Sequence, residues 1–357
     1  MQPRLLAAIT AHGYGHAAQT AEVVAALRRH RPNLDLLLLT DLPVAYLRTR
    51  FETPFEHRPY RCDVGMVMHS ALAVDADRSR EAYVDYHRDW NGRIAEQREL
   101  LRQWKPDLIL ANVPYTLLLA AKAEGIPAVA MCSLNWADVY EHYCVTDQAS
   151  REIHSGILDA YRTAHAFLRL TPGMPMENLH NRFIVGPVAR KGRNRSQNLR
   201  RRFRVAENKR LLLAALGGFD TSVRVKPMSE SDDIVWLAPA NWRLDAAAHI
   251  TIEETGMAFI DLLASCDAVL SKPGYGTYTE ATCHAKPLCH LPRNDWPESP
   301  FLNEWLHAHT RAAGLPAKGL EIEDVKNCVA NLLQRPKPNA PLPTGAEQAA
   351  RFLNTFF

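Results

Sequence analysis

The chain has 357 residues, 47% of them apolar and 23% charged, with a formal net charge of +3. That length exceeds what one hydrophobic core usually serves, so two globular domains are expected, and disordered or collagen-like chains are excluded. No apolar run approaches the ~20 residues that cross a bilayer.

The charge is unevenly placed. Arg190–Arg204 carries eight basic residues and no acidic one, which leaves the rest of the chain at −5. A solvated interdomain linker is the preferred reading, and a patch meeting an anionic membrane surface is the functional alternative. Nucleic-acid binding is not expected, because no aromatic interleaving accompanies the charge. The seven cysteines are odd in number and lack a CxxC pair, so reduced, structural thiols are expected. Cys283-His284 and Cys289-His290 look like metal ligands, but no second pair supports them, and no metal site is expected.

In chain order, Arg4–Thr10 reads as a short apolar strand. The polar loop from His12 ends it too early for a secretory leader, and cytoplasmic residence is expected. Ala17–His30 has helical spacing through Val23, Val24 and Leu27, and Leu34–Leu39 is a second strand. Tyr83–Trp104 and Thr116–Glu124 read as helices, with strands at Asp107–Ala111 and Ala128–Cys132. Phe183–Val185 leads into Gly186-Pro187, and a domain boundary is placed near Val188.

The second half restarts with the strand Arg210–Ala215 and the turn Gly217-Gly218-Phe219-Asp220. Ile234–Leu237, Ala268–Ser271 and Leu288–Leu291 are further strands, with helices near Gly256–Ala264 and Gly276–Ala285. Pro336–Pro343 precedes a terminal helix, Gly345–Phe357. Strands alternating with helices predict an α/β chain of two doubly wound parallel sheets: 1–188, 189–343, and a helix 344–357 returning to the first domain. Such domains bind ligands outside the carboxyl ends of their strands, in a cleft.

Three motifs carry chemistry. Ala11-His12-Gly13-Tyr14-Gly15-His16-Ala17 lies between the first strand and helix. Its glycines allow positive φ and close backbone approach, and the helix start presents free N–H groups. The third glycine of GxGxxG is missing, since Ala18 and Gln19 stand there, so a dinucleotide-dependent dehydrogenase is disfavoured. His16 is the preferred general base; His12 reads equally as a catalytic or a hydrogen-bonding residue.

Ser271-Lys272-Pro273-Gly274-Tyr275-Gly276-Thr277-Tyr278-Thr279-Glu280-Ala281 follows a strand, turns and opens a helix. It offers backbone N–H groups and the Thr277 hydroxyl to a diphosphate, while Glu280 suits a ribose. It lacks the GK[ST] ending of a Walker loop. Pro292–Pro300 and the helix after it then bring Asp295, Glu298 and Asn303 toward the same edge, where they suit sugar hydroxyls or helix capping.

These motifs, in this order, resemble the GT-B glycosyltransferase superfamily. They are most similar to the branch of the peptidoglycan N-acetylglucosaminyltransferase and the glycosyltransferase-like front part of plant arabinokinases. Ser133-Leu134-Asn135-Trp136-Ala137-Asp138-Val139-Tyr140 is similar to an Asn–aromatic–Trp–Asp segment of arabinokinase-like members. The resemblance implies an acceptor-binding first domain with His16, and His12 beside it, as catalytic residues. Gly13, Tyr14, Gly15, Asn135, Trp136 and Asp138 would then face the acceptor. It implies a donor-binding second domain, with Gly218, Ser271, Gly274, Tyr275, Gly276 and Thr277 on the diphosphate. Glu280 would hold the ribose, and Asp295, Glu298 and Asn303 the sugar.

UDP-sugar donors and a metal-free, cofactor-free transfer to an unidentified acceptor are implied as well. No carboxylate lies seven residues from Glu280, which favours inversion. Glu298-Ser299 replaces the family's Gln pair, and no sugar-kinase sequence follows, so kinase activity is not carried over. The His16 loop and Gly217–Asp220 also resemble a UDP-sugar hydrolase of pseudaminic acid synthesis, and a non-catalytic nucleotide-sugar-binding protein is the third reading. Acceptor identity rests on the loops of about Thr53–Arg80, which include His57 and His69.

Overall fold

The computed structural model describes residues 2–70, 73–216, 233–240, 242, 249–316 and 322–357. Two compact units divide the chain: Met1–Val188 with Thr344–Phe357, and Ala189–Pro343.

The first unit holds β1 (Arg4–Ile9), β2 (Asp35–Leu39), β3 (Glu56–Arg58), β4 (Leu108–Asn112), β5 (Ala128–Cys132), β6 (Ala166–Leu170) and β7 (Arg182–Val185). They form one parallel sheet in the order β3-β2-β1-β4-β5-β6-β7. Leu5 to Ala8 and Leu36 to Leu39 are fully buried. Near-continuous apolar runs are what strands covered on both faces by helices require. Strand order reverses between β1 and β4, so the loops after these neighbours leave in opposite directions and open a crevice at their carboxyl ends.

The second unit repeats the plan. β8 (Arg210–Ala215), β9 (Ile234–Ala238), β10 (His249–Thr251), β11 (Ala268–Ser271), β12 (Leu288–His290) and β13 (Ala312–Gly314) form a parallel sheet in the order β10-β9-β8-β11-β12-β13. Its reversal falls between β8 and β11. The turn Gly217–Asp220, with Gly218, lies outside the described residues.

The expected strands are present, and the structure adds the edge strands β3, β10 and β13 and the interior β6. The edge strands have three residues each and carry Glu56, Arg58, His249 or Gly314, a composition without the apolar run that marks a central strand. The expected helix Tyr83–Trp104 is two helices, Ala76–Arg88 and Trp90–Trp104. Asp89 separates them, its carboxylate capping the second by accepting from the Gly92 N–H at 3.2 Å.

Two further expectations are corrected. Cys289 and Cys328 form a disulfide that joins β12 to the helix Ile322–Gln334, while Cys62, Cys132, Cys144, Cys266 and Cys283 are buried thiols without a disulfide. The two partners lie 39 residues apart, a separation that no local motif reveals. The basic block is also more than a solvated linker. Arg200 is buried, bonds the Asp267 carboxylate at 2.7 Å and donates to the Ala206 and Lys209 carbonyls. Arg202 donates to the Glu254 and Thr255 carbonyls, and Lys191 to that of Cys283. Much of its positive charge thus anchors the start of the second unit. Among the described residues no helix is long and apolar enough to cross a membrane.

The helix Gly345–Asn354 packs on Tyr14–His30. Glu347 bonds His30 at 2.8 Å and Arg29 at 3.2 Å, and Arg31 reaches Asn354 at 2.7 Å. The chain enters this helix through a close crossing of backbones, where Gly345 N–H donates to the Pro187 carbonyl at 2.9 Å. A Cβ on Gly345 would collide with the Gly186 carbonyl. Gly345→Ala is therefore expected to loosen the terminal helix at a cost of ~1–3 kcal/mol. Limited proteolysis should cut within 344–357 faster in the variant than in the wild type.

Candidate active site

Asn112 ends β4, paired with Ile9 at the end of β1, and both residues are buried. It therefore sits at the reversal of the first sheet, beside the start of the helix Tyr14–His30. Its Nδ2 lies 3.1 Å from the His16 carbonyl oxygen, 3.0 Å from Gln19 Oε1 and 3.2 Å from Thr20 Oγ1. A carbonyl oxygen only accepts, so the amide orientation is fixed and Oδ1 is the atom facing His16 Nδ1, at 2.9 Å. Nδ1 must donate. His16 is thereby held in the tautomer whose lone pair lies on Nε2, the arrangement a general base needs.

Burial lowers the His16 pKa from 6.5 to about 4, and the Asn112 hydrogen bond offsets this only in part. The ring is neutral at physiological pH. The unfolded chain takes up this proton first as pH falls. The contribution to stability is therefore complete above about 6.5 and is lost on the way down to about 4, by roughly 3 kcal/mol. Cys132 Sγ lies 3.5 Å from the same Nδ1, and Gln19 Nε2 donates to Ser133 Oγ at 3.2 Å, which closes the network.

His12 is arranged the opposite way. Its Nδ1 accepts from the Met66 N–H at 3.2 Å, which places its proton on Nε2. Its ring meets Trp136 edge-on at 5.1 Å, and His16 lies 6.2 Å from the same indole. Trp136 is fully buried and donates Nε1–H to Asp63 Oδ2 at 2.8 Å, while Thr10 Oγ1 donates to Asp63 Oδ1 at 2.7 Å. Burial raises Asp63 to about 6 against these two hydrogen bonds. Asn135 caps the helix Trp136–Cys144 by accepting from the Asp138 N–H at 2.9 Å, and its Nδ2 donates to the Asp138 carboxylate at 2.8 Å. Asn135, Trp136 and Asp138, expected toward the acceptor, thus have structural partners.

Gly13 and Gly15 do not adopt the left-handed conformation that the glycines of this loop allow. Gly13 is extended and Gly15 lies within the helix. A Cβ on either would meet nothing within 4 Å, so the space beside this loop is open. Tyr14 is 44% exposed and lies against Tyr46 at 4.1 Å, with the Tyr46 hydroxyl donating to the Tyr14 carbonyl at 2.8 Å.

In the second unit, Gly274 is likewise extended and precedes the helix Tyr275–Cys283, and space beside Gly276 is open. The buried Ser271 hydroxyl donates to the Ala215 carbonyl at 3.0 Å, so it ties β11 to β8 instead of reaching outward. Tyr275 is buried, its carbonyl accepting from Thr279 Oγ1 at 2.9 Å; Thr277 is half-buried. Glu280 is 7% exposed on the first turns of this helix. In the next loop Asp295 is exposed, whereas Glu298 is buried and accepts from Trp296 Nε1 at 3.2 Å. Asn303 Oδ1 accepts from the Tyr278 hydroxyl at 3.1 Å. Glu298 and Asn303 therefore hold the loop and helix together.

Lys272 and Arg293 belong to the quoted motifs but were assigned no role from sequence. Burial, and then the neighbouring Arg293 charge, lower the Lys272 pKa to about 8. Arg293 lies over the Trp296 ring at 4.4 Å. Asn112 and Asp63 were missed altogether. Position at the end of a central strand was the signal available for Asn112; Asp63 lies in an irregular loop and offered none.

No family model matches the chain. It is 27% identical over 312 residues to L-arabinokinase of Arabidopsis thaliana, an alignment covering 84% of this chain and 29% of that protein. The chain therefore spans less than a third of the length of this curated relative. The glycosyltransferase of kitacinnamycin superposes with a TM-score of 0.63 at 15% identity, over 100% of this chain and 96% of that one. A UDP-glucosyltransferase from Polygonum tinctorium capable of glucosylating indoxyl does so with a TM-score of 0.61 at 12% identity, over 100% and 98%. The chain has the GT-B fold. In GT-B terms the His16 loop follows the first strand of the first sheet, and the Gly274 loop follows the strand across the reversal of the second.

Asn112→Asp would set a carboxylate against His16 Nδ1–H, and the His16 pKa is expected to rise by ~1–3 units. An NMR titration of the imidazole carbons reads this directly. An unchanged value would show that residue 112 does not face Nδ1.

Proposed function

We propose that the protein is an inverting glycosyltransferase that moves a sugar from a nucleotide-sugar, of the UDP class, to an acceptor hydroxyl without an obligatory metal ion. The observation that carries this reading is the fixed tautomer of His16, a neutral buried imidazole whose lone pair is held on Nε2 by Asn112. The first unit holds the acceptor and the base, and the second holds the donor. Full-length likeness to glycosyltransferases, one of them named for UDP-glucose chemistry, supports the reaction class. Likeness to L-arabinokinase supports the branch.

In this mechanism His16 Nε2 accepts the acceptor's hydroxyl proton as that oxygen bonds to the anomeric carbon. The bond from that carbon to the nucleoside diphosphate breaks, and its electrons leave with the diphosphate. Negative charge grows there, and three features oppose it: the N–H groups opening the helix Tyr275–Cys283, the Lys272 ammonium and the Arg293 guanidinium. Such donors perform the role a divalent ion has elsewhere. Open space beside Gly276 suits close approach of the phosphates, and Glu280, on the same helix, is assigned to the ribose. The exposed Tyr14 and Asp295 are assigned to acceptor and sugar respectively.

The donor half is tested by thermal shifts with nucleotides and nucleotide-sugars. A cognate nucleoside diphosphate at 100-fold its dissociation constant should stabilise the protein by roughly 2.7 kcal/mol. Glu280→Ala should lose most of that shift for nucleotides while retaining the fold, and Lys272→Gln should weaken diphosphates more than the bare nucleoside. No shift with any nucleotide would remove the donor assignment.

The catalytic half is tested with the nucleotide-sugar that gives the largest shift. His16→Ala should lower turnover by ~10²–10⁴-fold while leaving nucleotide affinity in place. In the wild type, kcat/KM should stay level through neutrality and fall only as pH nears the His16 value of about 4. Undiminished turnover in His16→Ala would end the base assignment.

A further inference from the structure

In the second unit two imidazoles outside this machinery meet nitrogen to nitrogen. His290, the last residue of β12, and His307, on the helix Ser299–His309, hold their Nε2 atoms 3.1 Å apart. His290 is 7% exposed, whereas His307 is open to solvent. Room for the His290 ring comes from the neighbouring strand. Its register partner on β13 is Gly314, where a Cβ would stand 3.2 Å from His290 Cε1.

The proton position on His290 follows from its other nitrogen. Nδ1 faces the Leu291 carbonyl oxygen at 3.4 Å, and a carbonyl only accepts, so Nδ1 carries the hydrogen and Nε2 the lone pair. A backbone carbonyl holding the distal N–H is the usual outer partner of a metal-ligating histidine. Two nitrogens bound to one ion at ~2.0–2.1 Å stand about 2.9 Å apart at a right angle and about 3.4 Å apart in a tetrahedron. The observed 3.1 Å lies between these values.

We propose that His290 and His307 form a two-histidine chelate for a divalent transition-metal ion of the copper, nickel and zinc class, with water completing its coordination. Among the described residues no three His, Cys, Asp or Glu side chains converge, so the protein supplies two ligands. His309, on the same helix, has its ring stacked on the Trp305 indole and forms no three-ligand cluster with the pair. Magnesium and calcium, which require oxygen ligands, do not fit. The ion would tie the end of β12 to the helix beyond the loop that holds Asp295, independently of any transfer reaction. The ligands are 17 residues apart, so although His290 belongs to one of the two Cys-His pairs in the sequence, nothing there joined it to His307.

Full-length protein, stripped with a chelator, is titrated with copper, nickel, zinc and magnesium salts near neutral pH and followed by thermal shift. Copper binding is also followed by electron paramagnetic resonance. One saturable equivalent is expected, stabilising in the order copper, then nickel, then zinc, with no effect of magnesium and with nitrogen splitting from two imidazoles. His307→Ala, a surface change, should keep the circular dichroism of the wild type and lose this event, while His309→Ala retains it. Equal binding in His307→Ala, or no stabilisation by any of the three ions, would overturn the proposal.

Discussion

One side-chain amide organises the first unit. Asn112 is fully buried where the order of the first sheet reverses, and an unsatisfied polar group there would cost ~1–3 kcal/mol. Its amide can meet the His16 carbonyl, Gln19 and Thr20 in only one orientation. That orientation dictates which atom faces the imidazole and so where the imidazole keeps its proton. The tautomer of His16 is thus a consequence of satisfying that residue's own backbone carbonyl.

Desolvation sets the electrostatics of both units in the same way. It lowers His16, raises Asp63 and lowers Lys272, and in each case it is the largest influence. Each group is thereby made reluctant to be charged. For a base this means readiness at neutral pH without an anionic partner. For a lysine beside an arginine it means that a bound anion would relieve an existing penalty. The loop after β1 thus holds a neutral imidazole, and the loops after β11 and β12 hold the neighbouring cations Lys272 and Arg293.

The glycines of both loops have a different part from the one their sequence suggested. Gly13 and Gly274 are extended, and a Cβ would meet nothing within 4 Å at Gly13 and only the Lys272 carbonyl oxygen, at 3.9 Å, at Gly274. Where a glycine is required by contact, at Gly345, it serves the crossing of two backbones. Residues quoted for ligand binding divide in the same manner. Ser271, Glu298, Asn135 and Asp138 meet structural partners, because a polar side chain near a buried turn is first claimed by the nearest unpaired backbone or indole group.

From the sequence alone, the alternation of apolar strands with helices determined two parallel α/β sheets. The strand–glycine–helix order located both loops and singled out His16. These features are local: periodicity and turn residues act over a few positions and leave their mark there. The tertiary structure decided everything that depends on pairs distant in the chain. Asn112 lies 96 residues from His16, Trp136 lies 73 from Asp63, and Cys328 lies 39 from Cys289. The order of strands determines such meetings, and once burial has removed water from them, each polar atom must find its partner within the fold.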